Sequence, residues 1–183
     1  MGTRPEFDEF VAARSGRLLR TAYLLTGDRH SAEDLVQTSL AKLYLALAEC
    51  HWTAGENGAV VEVLQLGMDH SLRSPSQRHL SRMAPFMASA LLWGPTPTDA
   101  ALGECNLLLE VAAADRLAQA RVKVVAGVLE ALRGNFDNAT RLTEQGVSAH
   151  EEAGSTVVGL VMTQFTALVE ILAGDLHSAA VEL

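Results

Sequence analysis

Four glycines, Gly55, Gly94, Gly134 and Gly174, stand 39, 40 and 40 residues apart, each after an apolar segment. That interval holds a helix, a turn, a second helix and a connector, so the spacing predicts a repeated helical pair. The two best-matched copies read LRGNFDNATRL (132–142) and LAGDLHSAAVEL (172–183). In both, glycine sits where one helix ends through a left-handed turn, and Asn or Asp opens the next helix. Ala139 or Ala179 lets the two helices approach closely. A pair of this length cannot bury its apolar face alone, so neighbouring pairs must stack over a continuous core. Hydrophobic residues make up 49% of the chain and aromatics only 5%, which leaves Ala, Leu and Val to build that core. Such residues suit helix–helix packing and are poor material for a sandwich or barrel. The fold class expected is therefore all-α.

The first 47 residues follow a different pattern. Thr3 with Glu6, and Pro5 in the first turn, predict a capped helix start. Phe7, Phe10, Val11, Leu18, Ala22 and Leu25 then give one amphipathic stripe, which Gly27 ends. Asp28 is placed to cap a second helix, with Ala32, Leu35, Val36, Leu40, Leu43 and Leu47 as its apolar stripe. Its opposite face carries Glu33, Asp34, Gln37, Thr38 and Lys42. The interval from Gly27 to Gly55 is 28 residues, out of step with the later ones. We therefore expect a helical hairpin over 1–47 and a helical repeat over 48–183. Segments 71–79 and 93–100 read as connectors, with Thr96 or Thr98 as the cap of the helix that follows.

Charge separates the same two parts. The formal net charge is −8; residues 1–47 carry six basic and six acidic side chains, whereas residues 48–183 carry eight and sixteen. An acidic surface repels phosphate backbones, so direct DNA binding is not expected of the larger part. Arg14, Arg17 and Arg20 lie three apart on the first helix, beside Asp8, Glu9 and Asp28, and read as a salt-bridged exposed face. The start of the chain, MGTRPEFDEF, has no apolar stretch of the kind a signal peptide needs, and no window approaches 18 uninterrupted apolar residues. The expectation is a cytoplasmic chain without a membrane span. Cys50 and Cys105 are the two cysteines, with no CxxC spacing, and are expected to be free thiols.

Motifs for chemistry are few. Cys50 and His51 are adjacent, and Cys105, His70 and His79 lie elsewhere, but neighbouring residues on a helix point about 100° apart and no second pair has zinc spacing. No G-x-S-x-G, HExxH or phosphate-binding loop occurs. The chain is expected to be no enzyme and to need no metal or cofactor.

Two resemblances cover different parts of the chain. Residues 7–47, FDEFVAARSGRLLRTAYLLTGDRHSAEDLVQTSLAKLYLAL, resemble the start of region 2 of extracytoplasmic-function-type sigma-70 family factors. In that family the second helix of the hairpin docks on the clamp helices of RNA polymerase. The resemblance thus implies a polymerase-binding role for Asp34, Leu35, Gln37 and Thr38, although Thr38 stands where the family usually has an acid. Residues 48–183 resemble the tetratricopeptide-like repeats of multidomain bacterial regulators and cyclase-type signalling proteins, most clearly in GPTPTDAALGECNLLLEVAAADRLAQARV (94–122). That likeness implies an α-solenoid of helical pairs that binds a protein or peptide. Together they imply a non-catalytic, transcription-associated protein whose hairpin binds RNA polymerase core. The alternative is a tetratricopeptide-like scaffold or regulatory fragment with no polymerase or DNA contact. Self-association is expected through an open C-terminal end at Leu176, Ala180 and Leu183.

After Leu47 the sigma family continues into a basic, aromatic stretch that melts promoter DNA, whereas this chain reads AECHWTAGENGAVVEVL. Without stacking aromatics and phosphate-binding Arg or Lys, strand opening has no physical agent. Run-off transcription with core polymerase and this protein is predicted to give no more specific product than core alone. Specific initiation above that background would contradict the reading.

Overall fold

The computed structural model describes residues 4–72 and 79–182. Among these residues it is all-helical, with 87% helix and no strand. The helices are α1 (Arg4–Thr26), α2 (Arg29–Thr53), α3 (Asn57–Leu72), α4 (Leu80–Trp93), α5 (Thr98–Val111), α6 (Arg116–Leu132), α7 (Phe136–Glu152), α8 (Thr156–Ala173) and α9 (Leu176–Glu182). Each packs on the next, and α6 also touches both α4 and α8. Thr3 and the centre of the 71–79 connector lie outside the described residues.

The turns follow the glycines. Gly27, Gly55, Gly134, Gly154 and Gly174 all have positive φ, the left-handed conformation that glycine adopts without a Cβ penalty. Gly94 differs: its φ of −97° and ψ of −174° are extended, so that turn is not left-handed. Asp28 caps α2 by accepting the Ser31 N–H at 2.9 Å, and Asp115 caps α6 from Ala118 at 3.0 Å. At α7 the expected Asn cap is absent. Asn135 occupies the cap position but its side chain donates to Glu130 Oε2 at 3.0 Å, while Asn138 donates to Glu130 Oε1 at 2.9 Å. Neither Thr96 nor Thr98 caps α5, which starts after Pro97 without a side-chain cap; Pro97 lacks an N–H and is preset for a helix start.

One core runs from α2 to α6. Tyr44 and Ala48 of α2 share it with Val60 and Leu64 of α3, Met83 and Met87 of α4, Cys105 and Leu108 of α5, and Val122 and Leu129 of α6. Trp52 of α2 meets Phe86 of α4 edge-on, with ring centroids 5.5 Å apart. The boundary expected between residues 47 and 48 therefore falls inside a continuous helix whose two sides feed one core. A smaller cluster of Val128, Ala131, Ala139 and Val169 extends the packing through α6, α7 and α8.

α2 explains why the first part departs from its sequence pattern. It lies between α1 and α3, so it buries Ala32 and Leu40 and also Ala41, Tyr44, Leu45 and Ala48. The face expected to be solvated, Glu33, Asp34, Gln37 and Thr38, is half-buried, whereas Leu35 and Leu43 of the expected apolar stripe are exposed. On α1, Val11 and Ala22 are buried as expected, but Leu18 and Leu25 are exposed. At the far end, Leu176 and Ala180 are exposed, along with Val157, Leu160 and Val181; Leu183 lies outside the described residues.

Helix spacing is set by glycine and alanine. A Cβ on Gly146 of α7 would collide with Val124 Cγ2 and lie 2.6 Å from the Ala120 carbonyl oxygen of α6. On Gly127 of α6 it would lie 2.9 Å from the Ala139 carbonyl oxygen, and on Gly67 of α3 it would lie 2.9 Å from Tyr44 Cβ. A backbone oxygen cannot swing aside, so Gly146→Ala should force α6 and α7 apart. It is predicted to destabilise by about 1–3 kcal/mol, the usual penalty of overpacking a core. Gly103→Ala on α5 meets nothing within 4 Å and should stabilise by about 0.5–1 kcal/mol through helix propensity. Urea unfolding followed by circular dichroism checks both signs, and a neutral Gly146→Ala would contradict the close packing.

Candidate functional site

Alternate helices meet along one groove of about 450 Å³. α2 contributes Leu45 and Glu49, α4 contributes Ser81, Arg82, Pro85 and Phe86, and α6 contributes Asp115, Leu117, Ala118 and Arg121. His150, in the last turn of α7, and Ser155 and Val158 at the start of α8 close its far end. Because α2 is part of the common core, its Leu45 and Glu49 stand in the same wall as residues some seventy positions later. The groove carries two acids and two arginines, so it is polar but locally balanced. A second groove of about 420 Å³, between α6 and α7, is spanned by the pair Arg116–Glu152 and by Lys123 donating to Gln145 at 3.2 Å. A third, of about 390 Å³, is mainly apolar and lined by Trp93 with Val161, Phe165, Leu168 and Ile171.

The titratable groups of the first groove occupy unlike settings. His150 is 2% exposed, and both of its ring nitrogens lack a hydrogen-bond partner among the described residues. Burial holds its pKa below the ordinary histidine value, and the positive charge of Arg121 adds to that. Partial burial likewise lowers the Arg121 pKa, against the attraction of Asp115. The Asp115 carboxylate is occupied in capping α6. Among the described residues, neither Arg82 nor Arg121 forms an ion pair or side-chain hydrogen bond. Within α4, Pro85 has no N–H to give to the Ser81 carbonyl four residues earlier, and both residues line the groove.

The four residues singled out for polymerase do not form one exposed patch. Leu35 is exposed and Asp34 is half-buried. Gln37 Oε1 is enclosed without a hydrogen-bond partner among the described residues. Thr38 Oγ1 lies 3.3 Å from His79 Nε2, at the start of α4. The cause is the double-sided packing of α2, which turns Gln37 and Thr38 toward the array.

The residues weighed for metal binding are dispersed. Cys50 is exposed on α2, and Cys105 is buried in the core, where desolvation and the charge of Glu104 push its thiol up to about 12. His51 pairs through Nδ1 with Glu56 Oε2 at 2.6 Å, and His70 stacks obliquely near Tyr44. No group of three or more His, Cys, Asp or Glu able to hold a metal ion occurs among the described residues. Likewise, no helix among them is long and apolar enough to cross a membrane.

Sequence reasoning missed Glu49, Arg82, Arg121 and His150, because they come from four helices and share no local motif. One signal was present. Ala139, Thr143 and Gly146 form the buried stripe of α7, and His150 continues that spacing. A histidine ending a stripe of small buried residues marks a ring held against a neighbouring helix. Comparison with known proteins gives no family model that matches this chain and no match among curated proteins.

Proposed function

We propose that the protein is a non-catalytic, cytoplasmic interaction module, a tetratricopeptide-like solenoid of helical pairs that binds a protein or peptide segment in the groove of α2, α4, α6 and α8. The observation that supports this reading is that α2, α4, α6 and the start of α8 supply all of the groove lining except His150 of α7, as stacked pairs with one member of each turned inward would. The pairs are α2 with α3, α4 with α5, α6 with α7 and α8 with α9, and each contains one of the four periodic glycines at its turn. Polar groups of both signs beside Leu45, Phe86 and Leu117 suit a segment that needs hydrogen bonding along its backbone and anchoring at a few side chains. The hairpin of α1 and α2 is part of this array, and the exposed apolar residues on α8 and α9 are a self-associating face.

Photo-crosslinking residues placed singly at Ser81 and Leu117 in the groove, and at Glu104 and Arg141 on exposed positions of α5 and α7, separate the two surfaces in the cell. Groove positions are predicted to trap a common partner that the outer positions do not. Equal capture from both sets, or capture from the outer set alone, would refute the groove.

A second reading rests on the sigma-like residues 7–47 and on exposed Leu35 beside Asp34. In it the hairpin binds the RNA polymerase clamp through Asp34, Leu35, Gln37 and Thr38, and the protein is transcription-associated. Docking through Thr38 then requires it to part from His79. Titration of a purified clamp fragment decides this. Under this reading Asp34→Ala weakens binding about ten- to hundredfold, the loss of one charge-assisted hydrogen bond, and His79→Ala strengthens it. A wild-type protein that does not bind the clamp leaves the scaffold reading alone.

A further inference from the structure

We propose that the outer face of α8 pairs antiparallel with the same face of a second copy of this chain, about a two-fold axis at Gln164. This inference rests on the reading of α8 and α9 as a self-associating face and specifies its symmetry and register. A helix at the surface of a fold ordinarily turns charged and polar side chains to water. α8 does not. Its inner side buries Gly159, Met162, Ala167 and Val169. Yet Val157, Leu160, Val161, Gln164, Leu168 and Ile171 share the opposite side at 100° per residue. Val157 is 76% exposed and Leu160 71%, and Val161, Gln164 and Ile171 are exposed as well. Gln164 is the polar member of that stripe. Glu170, the charged residue of α8, falls on the inner side of the helix and is half-buried. The stripe borders the apolar groove of about 390 Å³ that it shares with exposed Trp93 of α4.

Chemistry narrows the occupant. Neither the stripe nor the groove holds a cation for an acidic peptide or an acid for a basic one. An interfacial membrane helix carries Lys or Arg beside its apolar face, and α8 has neither. What fits is an uncharged protein surface, and this chain itself supplies one. With a net charge of −8, two copies repel each other except where their surfaces are uncharged. The stripe and Trp93 together expose roughly 600 Å² of side-chain surface per copy, so pairing removes about 1,200 Å² in all, at the lower bound of stable interfaces.

The order of residues in the stripe sets the axis. Val157 and Ile171 lie seven residues before and after Gln164, about 10 Å each way along the helix. Leu160 and Leu168 lie four residues before and after it. In an antiparallel pair, Val157 of one copy therefore meets Ile171 of the other, Leu160 meets Leu168, and Gln164 meets Gln164, as an isologous interface demands. An amide both donates and accepts hydrogen bonds, so two glutamines on the axis satisfy each other. Two like charges in that place would not.

The test is sedimentation equilibrium of the full chain, with the helicity of every variant read by circular dichroism. The wild-type protein is expected to dimerise with a dissociation constant on the order of 10 μM, as a small apolar interface does. Gln164→Glu and Gln164→Lys change an exposed position and should leave helicity unchanged. Each should weaken its own dimer about a hundredfold, because like charges then stand face to face on the axis. An equimolar mixture of the two should form a heterodimer within about tenfold of wild-type affinity, because opposite charges then meet there. A wild-type protein that stays monomeric up to about 1 mM would overturn this proposal and the self-association reading together. A dimer that neither charge weakens, or a mixture that recovers nothing, would overturn the α8 pairing alone and leave self-association through another surface.

Discussion

Glycine and alanine let the helices of this chain touch at their backbones, and the remaining architecture depends on that closeness. Gly146 lies against the Ala120 carbonyl and Val124, Gly127 against Ala139 and Thr143, and Gly67 against Tyr44. With only 5% aromatic residues, the interior cannot be filled by large rings spanning wide gaps. It is filled instead by short interhelical distances, so that Val, Leu and Ala retain dispersion contacts on every side. Within the core that α2, α4 and α6 share, their side chains wall a single groove.

That continuity changes the meaning of the first part of the chain. A hairpin that merely preceded the array would leave one face of α2 in water. Here Ala41, Tyr44, Leu45 and Ala48 are buried in the core shared with α3 to α6, and Thr38 approaches His79. The polar side chains of α2 that resemble a sigma-factor docking surface are thereby drawn toward the protein's own helices. Two demands fall on one helix, and the interior contacts are the ones formed in the structure.

The helix ends were legible in the sequence because their markers are local. Gly134 and Gly174 end helices at positive φ as their neighbours predict, and Asp28 caps where a carboxylate should. Gly94 is extended rather than left-handed, and the Asn135 side chain donates to Glu130 instead of capping α7. The second buried face of α2 was hidden by alanine, which occurs in cores and on surfaces alike, so Ala41 and Ala48 gave no periodic signal against the polar residues between them. The groove was hidden for a different reason. Glu49, Arg82, Arg121 and His150 acquire meaning only when four helices are stacked, and no spacing along the chain encodes that.

The central claim is that α2 belongs to the same folded unit as α4 and α6, which is what sets Glu49 and Arg121 in one groove. Native-state hydrogen exchange measures this directly, because amides in one cooperative unit open with a common free energy. The account predicts that amides of α2 around Tyr44 and Ala48 exchange through the same opening as those around Met87 in α4 and Val125 in α6. Exchange of α2 together with α1 through a separate opening of lower free energy, with α4 and α6 still protected, would contradict it.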